Sequence, residues 1–193
     1  EYGREMARQC VQLGVQVNFA PVADVNINPK NPVINTRSFG EDPVRVADKV
    51  VAYASGLEGG GVLSVCKHFP GHGDTAEDSH YTLPAVHHDR ARLDSVELLP
   101  FKRYIYDGYA GVMTGHLYVP ALDKARNKPV SMSRAVVTDL LQKELGFRGL
   151  CFTDALAMKG ATTRKSDNPS VMALLAGNDI LLAPAAPIND FAA

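Results

Sequence analysis

VLSVCKHFPGHGDTAEDSH, at residues 62–80, joins a short apolar run to a dense polar loop. The apolar run, residues 62–66, has the composition of a buried strand. The loop, residues 67–80, holds three histidines, one lysine and three carboxylates, with glycine and proline between them. Loops that follow strands usually carry the chemistry of α/β proteins, so this stretch is the predicted functional centre.

Apolar runs and amphipathic segments alternate on both sides of this stretch. We predict strands at residues 15–20, 62–66, 110–114, 150–153 and 179–182. Helices are predicted between them at residues 43–58, 92–107, 133–145 and 171–176, after a first helix at residues 1–13. This alternation indicates an α/β protein with a parallel sheet and helices packed outside it.

An open doubly wound sheet and a closed barrel both fit this pattern, and two observations favour the barrel. Nothing in the sequence resembles the glycine-rich phosphate turn of a dinucleotide-binding fold. Polar residues also recur just after the strands, as in barrels that gather their site from several strand ends: Asp24, Lys67, His68, His116 and Asp154. We therefore predict a TIM-type (β/α)8 barrel, here an incomplete one of about five βα units, because 193 residues fall short of a whole barrel.

The composition argues against several classes of partner. The formal net charge is -1, so no electrostatic argument supports binding to nucleic acid or to an anionic membrane. No apolar run is long enough to span a bilayer. The cysteines are few and widely spaced, which favours buried free thiols over a disulfide or a metal site: Cys10, Cys66 and Cys151.

Two groups in the sequence are candidates for catalysis. Asp154 follows the predicted strand 150–153, where it fits equally a helix N-cap or a nucleophile or base at a barrel mouth. Asp78 and His80 stand two residues apart, so in an extended loop their side chains project to the same side. A carboxylate paired with imidazole raises the pKa of the ring and suits it to proton transfer, although a solvated loop fits the spacing too.

A metal site is the weaker interpretation of the same loop. Nitrogen and oxygen ligands for zinc are available from His68, His72, Asp74, Asp78 and His80. Their spacing matches no standard zinc pattern, and the intervening glycines and proline argue against a rigid platform, so no metal is predicted. His72 lies between two glycines and fits equally a role in hydrogen-bonding its own loop.

Further motifs accompany the loop, at residues 18–26, 37–40, 152–158 and 177–182. Together with residues 67–75 and 78–80, they resemble the signature of bacterial β-N-acetylglucosaminidases of glycoside hydrolase family 3. The resemblance covers essentially the entire chain. It implies a TIM-type barrel that hydrolyses terminal β-linked N-acetylglucosamine (GlcNAc) with retention, through a covalent glycosyl-enzyme.

The resemblance also implies roles for single residues. Asp154 would be the nucleophile and His80 the acid/base, with Asp78 as its partner in place of the second carboxylate of most retaining glycosidases. The residues implied to bind sugar hydroxyls are Arg37, Lys67 and His68. We expect supporting positions at Asp24, His72, Asp74 and His116.

A longer protein is implied as well. The family's barrel would have two further βα units before Glu1 and a last unit after Pro184, so residues 1–193 are expected to be part of its N-terminal catalytic domain and inactive alone. A carbohydrate is the expected partner, with no cofactor, nucleic acid or membrane. Muropeptides derived from peptidoglycan and other GlcNAc conjugates are the expected substrates, in the cytoplasm or the periplasm of a bacterium. The oligomeric state stays open.

Alternatives remain open at this point. A family 3 β-glucosidase would keep the enzyme class and change the sugar. A metal-dependent hydrolase would use the histidine-rich loop instead of the pair Asp78 and His80. A carbohydrate-binding protein would bind the sugar without turnover.

Overall fold

A parallel sheet of four strands forms the centre of the molecule, and its strand order β1-β2-β3-β4 follows the chain. The protein is seen in a computed structural model that describes residues 1–79, 81–161 and 168–184. The strands are β1 (Val17–Asn18), β2 (Leu63–Phe69), β3 (Gly111–Thr114) and β4 (Leu150–Thr153). Each neighbouring pair is parallel. A parallel sheet whose strands follow chain order is what successive βα units produce, which confirms the predicted α/β class.

Helices make the crossovers between these strands. The α-helices are α1 (Tyr2–Gln12), α2 (Pro43–Gly59), α3 (Arg90–Ser95), α4 (Leu99–Tyr106) and α5 (Pro169–Ala176), with a π-type helix at Ala135–Glu144. Short 3-10 turns lie at Asn35–Arg37, Val130–Met132 and Lys159–Ala161. Asp42 is the N-cap of α2, because its side chain accepts a hydrogen bond from the Arg45 amide, and Pro43 opens the helix at the predicted residue.

The predicted helix at residues 92–107 is wrong, since the structure has two helices there. α3 ends at Ser95, where Val96 leaves the helical conformation with φ -122° and ψ -73°. α4 begins at Leu99 with Pro100 in its first turn. Proline has no amide hydrogen and clashes with the preceding turn, so it starts a new helix where the apolar periodicity alone suggested continuation.

Three strand boundaries also differ from the prediction. β1 is shorter than residues 15–20, whereas β2 continues past residue 66 because Lys67 pairs with Val22 in a parallel bridge. The segment 179–182 is joined to β4 by one bridge, from Phe152 to Ile180, and is not a regular strand. The carboxylate of Asp179 accepts the hydrogen bond of the Cys151 amide at 2.7 Å, so a side chain takes the place of a ladder bond.

Two apolar layers hold the sheet. Helix side chains pack on its outer face in one cluster that includes the fully buried Val46, Val50, Phe101, Tyr104 and Leu141. The inner face carries a smaller layer of Val65, Met113 and Phe152, contributed by successive strands. Within the described ranges, no helix is both long and apolar enough to cross a membrane. The inner layer forms the floor beneath the carboxyl ends of the strands, where the polar residues gather.

Candidate active site

A pocket of about 170 Å³ opens at the carboxyl ends of the strands. Its polar lining consists of Arg37, Lys67, His68, His72, Ser79 and Asp154. Its apolar lining consists of Phe19, Val33, Met113 and Leu182. The fold thus brings together five of the residues that the sequence singled out, from segments far apart in the chain.

Asp24 is the buried anchor of the histidines in this site. Its carboxylate is fully buried and lies 2.7 Å from Nδ1 of His68. It also accepts hydrogen bonds from the amide of His68 at 3.2 Å and from the amide of His72 at 2.7 Å. Burial acts to raise the pKa of Asp24, but the charge and hydrogen bond of His68, together with those of His72, hold that pKa below its ordinary value. With Nδ1 directed at Asp24, His68 presents its other ring nitrogen away from the anchor, which explains how this histidine lines the pocket.

Two cations lie beside the pocket. Lys67 is half-buried, and burial followed by the positive charge of Arg37 lowers the pKa of its ammonium, although Asp154 and Asp24 oppose the shift. Arg37 is exposed at the end of a 3-10 turn, where its Nη1 donates to the Val33 carbonyl at 3.2 Å. Lysine and arginine supply only donors, so this side of the pocket is suited to hydroxyl and carboxylate oxygens.

Asp154 directly follows β4 and is half-buried in the pocket wall. Its amide donates to the Thr114 carbonyl at 2.9 Å, which keeps its backbone in register with β3. Its Oδ1 accepts a hydrogen bond from the neighbouring Ala155 amide at 2.8 Å. The next regular element is the 3-10 turn Lys159–Ala161, too far along the chain for Asp154 to cap. Of the two roles that the sequence left open, the geometry favours the carboxylate at a barrel mouth.

Of the pair formed by Asp78 and His80, the structure describes Asp78. His80, the expected acid/base, lies outside the described residues, so its role stays a prediction. Asp78 lies in a turn in which its carbonyl accepts hydrogen bonds from the Tyr81 and Thr82 amides, each at 3.0 Å. Ser79, between the two members of the pair, lines the pocket.

His72 and His116 are both buried and hydrogen-bonded through both ring nitrogens. His72 bonds Thr75 Oγ1 through Nδ1 at 2.7 Å and Ser79 Oγ through Nε2 at 3.1 Å. His116 bonds Ser131 Oγ through Nδ1 at 2.8 Å, and its Nε2 donates to the Ala155 carbonyl at 3.1 Å. Burial lowers the pKa of both rings, which are therefore neutral near pH 7. His116 holds the residue that follows Asp154 and lies outside the pocket lining.

Sequence comparison identifies the family of this fold. The model for the Glycosyl hydrolase family 3 N terminal domain matches residues 1–192. The chain belongs to glycoside hydrolase family 3. The parallel sheet with helices outside it is consistent with part of the TIM-type barrel of this family, which confirms the predicted fold class.

Curated family 3 relatives are similar over nearly all of this chain. Beta-hexosaminidase A of Pseudoalteromonas piscicida is 43% identical over 95% of this chain and 33% of its own length. Beta-hexosaminidase LpqI of Mycobacterium tuberculosis is 40% identical over 94% of this chain and 48% of its own length. The chain therefore spans between a third and a half of the length of these relatives.

Solved structures of family 3 proteins agree with the fold. A β-N-acetylglucosaminidase from Paenibacillus has a TM-score of 0.92 at 39% identity, covering 97% of this chain and 37% of that chain. NagZ from Neisseria gonorrhoeae, in complex with N-trifluoroacetyl-D-glucosamine, has a TM-score of 0.85 at 34% identity, covering 98% of this chain and 54% of its own. The similarity therefore extends over the strands and the strand-end loops of this chain.

Asp74, an expected supporting position, is not among the residues that line the pocket, and neither are Asp24 and His116. The carboxylate of Asp74 is 2.6 Å from Nε2 of His88 and 3.6 Å from Nη2 of Arg92. Candidate ligand atoms of Asp74, His88 and Glu97 lie within 4.8 Å of one another. Arg92 also reaches Glu97 at 3.2 Å, so this cluster already contains a positive charge. Asp74 therefore lies in an ion-pair network outside the pocket lining, and its supporting role stays a prediction.

Several hydrogen-bond partners in this site carry no recognisable signal in the sequence. Ser79, Thr75 and Asn31 look like ordinary loop residues in the sequence, yet they hydrogen-bond around His72. Gly160 carries no such signal either, although its amide donates to the Ser79 carbonyl at 3.0 Å. These contacts join segments that are distant in the chain, so a local pattern could not have found them.

Proposed function

We propose that the protein containing this chain is a retaining exo-β-N-acetylglucosaminidase that removes terminal β-linked GlcNAc from muropeptides or other GlcNAc conjugates. One observation carries the proposal: the half-buried carboxylate of Asp154 lines a pocket together with the cationic Lys67 and Arg37 and the anchored His68. A carboxylate, hydrogen-bond donors and an enclosed concave space are what a covalent glycosidase requires.

Asp154 is the proposed nucleophile. Its Oδ1 is engaged by the Ala155 amide, which leaves Oδ2 as the oxygen to attack the anomeric carbon of the sugar. The hydrogen bond from its amide to the Thr114 carbonyl of β3 holds the backbone of this residue, so the attacking oxygen is positioned before substrate binds. Lys67 and Arg37 line the same pocket and are the proposed donors to sugar hydroxyls.

His80, paired with Asp78, is the proposed acid/base. It would protonate the glycosidic oxygen while Asp154 bonds the anomeric carbon, and would then accept a proton from the water that releases the sugar. The position of Ser79 in the pocket lining supports this role, because Ser79 connects Asp78 directly to His80 in the chain.

GlcNAc is the proposed sugar because of the relatives. Those at 43% and 40% identity are named beta-hexosaminidases. The neighbouring NagZ structure holds N-trifluoroacetyl-D-glucosamine, a derivative of the same amino sugar. These names support a preference for an N-acetylated sugar over a plain glucoside.

A chromogenic assay tests the proposal. The protein encoded by the complete open reading frame that contains this chain is incubated with 4-nitrophenyl β-GlcNAc and, separately, with 4-nitrophenyl β-glucoside. We expect turnover of the first substrate, and Asp154→Ala is expected to lower kcat by at least about 10³-fold because the nucleophile is removed. The control is Asp139→Ala, at an exposed helical position paired with Lys143, and it is expected to keep full activity.

Two outcomes would contradict the assignment. Unchanged activity in Asp154→Ala would exclude this residue as the nucleophile. Faster turnover of the glucoside would favour the β-glucosidase alternative. Exhaustive chelation is a third arm, and full activity afterwards would exclude a metal-dependent hydrolase.

A further inference from the structure

We propose, resting on the function proposed above, that Ser79 and His72 are positioning residues that fix residues 74–79, the described part of the loop directly before the acid/base, at the pocket. Neither residue would exchange a proton with the substrate. They would act by holding the chain that precedes the acid/base at a constant distance from Asp154.

Ser79 is held from two sides. It is 2% exposed, although it belongs to a polar loop. Its hydroxyl lies 3.1 Å from Nε2 of His72, and its carbonyl accepts the Gly160 amide at 3.0 Å. Gly160 lies in the 3-10 turn Lys159–Ala161, on the segment that follows Asp154. The residue that separates Asp78 from His80 is therefore hydrogen-bonded both to the start of the loop that follows β2 and to the segment that follows Asp154.

Gly160 has a steric reason to be glycine at this junction. A Cβ there would lie 2.7 Å from the Ser79 carbonyl oxygen, 2.9 Å from the Thr82 carbonyl oxygen and 3.1 Å from Cβ of His116. The first two distances are to backbone atoms, which cannot rotate away. Any other residue would push the acid/base loop away from the turn that follows Asp154.

His72 is itself firmly placed. Its amide donates to Asp24 at 2.7 Å, and its carbonyl accepts Nδ2 of Asn31 at 2.8 Å. Thr75 Oγ1 lies 2.7 Å from Nδ1 of the ring. A ring held at its backbone and at one nitrogen presents the other nitrogen to Ser79 in a single orientation.

The protonation state of the ring suits this role. Burial lowers the pKa of His72, with the charge of Asp24 opposing the shift, so the ring is neutral near pH 7. A neutral imidazole has one donor and one acceptor nitrogen. The tautomer in which Nδ1 accepts from the Thr75 hydroxyl leaves Nε2–H to donate to Ser79.

We expect the loss of this positioning to slow the glycosylation step. In that step His80 transfers its proton to the glycosidic oxygen as the bond from the anomeric carbon to that oxygen breaks, and a carboxylate oxygen of Asp154 bonds the same carbon. A poor leaving group needs this proton, whereas an acidic phenol departs without it. A loosened loop should therefore slow the poor leaving group selectively.

The experiment compares phenyl and 2,4-dinitrophenyl β-GlcNAc as substrates for Ser79→Ala, His72→Leu and His72→Gln in the full-length protein. For Ser79→Ala and His72→Leu we expect the loss of kcat/KM to be at least about tenfold larger with the phenyl glycoside. His72→Gln keeps an N–H near the Nε2 position and should recover part of the loss. Ser95→Ala, at an exposed hydroxyl that bonds the Arg92 carbonyl, is the matched control. Equal losses on both substrates, or no loss, would overturn the proposal.

A second readout does not depend on activity. Hydrogen exchange of residues 74–79 and of the Gly160 amide should be faster in Ser79→Ala than in the wild type, and unchanged exchange would contradict the positioning role. Gly160→Ala tests the other side of the junction if Ser79→Ala fails to fold, with Gly59→Ala as its control, since a Cβ at residue 59 meets nothing within 4 Å. A wild type that cleaves neither glycoside would refute the proposed function, while the exchange rates would still decide whether Ser79 holds the loop.

Discussion

The buried carboxylate of Asp24 binds two histidines of the loop without itself lining the pocket. It follows β1, whereas His68 and His72 lie at and just beyond the end of β2. The backbone brings them together, since the Ala23 amide donates to the Lys67 carbonyl at 2.6 Å. A single residue thus connects the alignment of two strands to the orientation of a pocket side chain.

Replacement of Asp24 by asparagine tests this connection. Asp24→Asn removes the charge and turns an amide group toward buried donors, so we expect a loss of about 3 kcal/mol in the free energy of unfolding. Urea denaturation of the wild type and the variant measures the difference. Asp139→Asn, in an exposed ion pair with Lys143, should change the stability by less than about 0.5 kcal/mol. Equal effects of the two substitutions would show that Asp24 is not the anchor.

The same variant makes a prediction about pH. The pKa of Asp24 lies below its ordinary value of 3.8, so its contribution is complete above that value and is lost as the pH falls through the folded-state pKa. The stability difference between wild type and Asp24→Asn should therefore be constant near neutral pH and shrink below about pH 4. A difference that persisted unchanged in strong acid would contradict the assigned direction.

At the scale of elements, a close crossing of α1 and α2 depends on two glycines. A Cβ at Gly56 would lie 2.8 Å from backbone atoms of Gly3 and Arg4, and a Cβ at Gly3 would lie 2.4 Å from the Tyr53 carbonyl oxygen. The helices touch backbone to backbone at this point. The crossing fixes α2, which packs on the outer face of the sheet and precedes β2.

Gly56→Ala should separate these helices. We expect a loss of about 1–3 kcal/mol in the free energy of unfolding, because the added methyl overlaps backbone that cannot rotate away. Gly59→Ala in the same helix meets nothing within 4 Å and should be neutral or stabilising by up to about 1 kcal/mol. Thermal denaturation of both variants makes the comparison, and two equal changes in Tm would contradict the close crossing.

Elements were predictable where local chemistry decides them. Asp42 and Pro43 mark the start of α2 in the sequence and in the structure. Pro100 marks the start of α4 in the sequence, but the apolar periodicity of residues 92–107 indicated one continuous helix. The irregular segment 179–182 was not predictable, because it depends on a contact between Asp179 and Cys151 in a neighbouring strand.

At the scale of the whole molecule, parallel topology made part of the site predictable. Carboxyl ends of parallel strands lie along one edge, so Lys67 and Asp154 were expected together and both line the pocket. The hydrogen bonds that hold His72 and Ser79 were not predictable, since their partners come from loops whose path is set by packing. The ion pair of Asp74 was not predictable for the same reason, because its partner His88 lies beyond the loop.

The central claim is that Asp154 forms the covalent glycosyl-enzyme, and trapping that intermediate tests it most directly. The full-length protein is incubated with the 5-fluoro glycosyl fluoride of N-acetylglucosamine, which slows release of the covalent intermediate, and is digested for mass spectrometry. We predict one added fluorosugar on the peptide that contains Asp154, and none in Asp154→Ala. An adduct on a different carboxylate, or its persistence in the variant, would contradict the account.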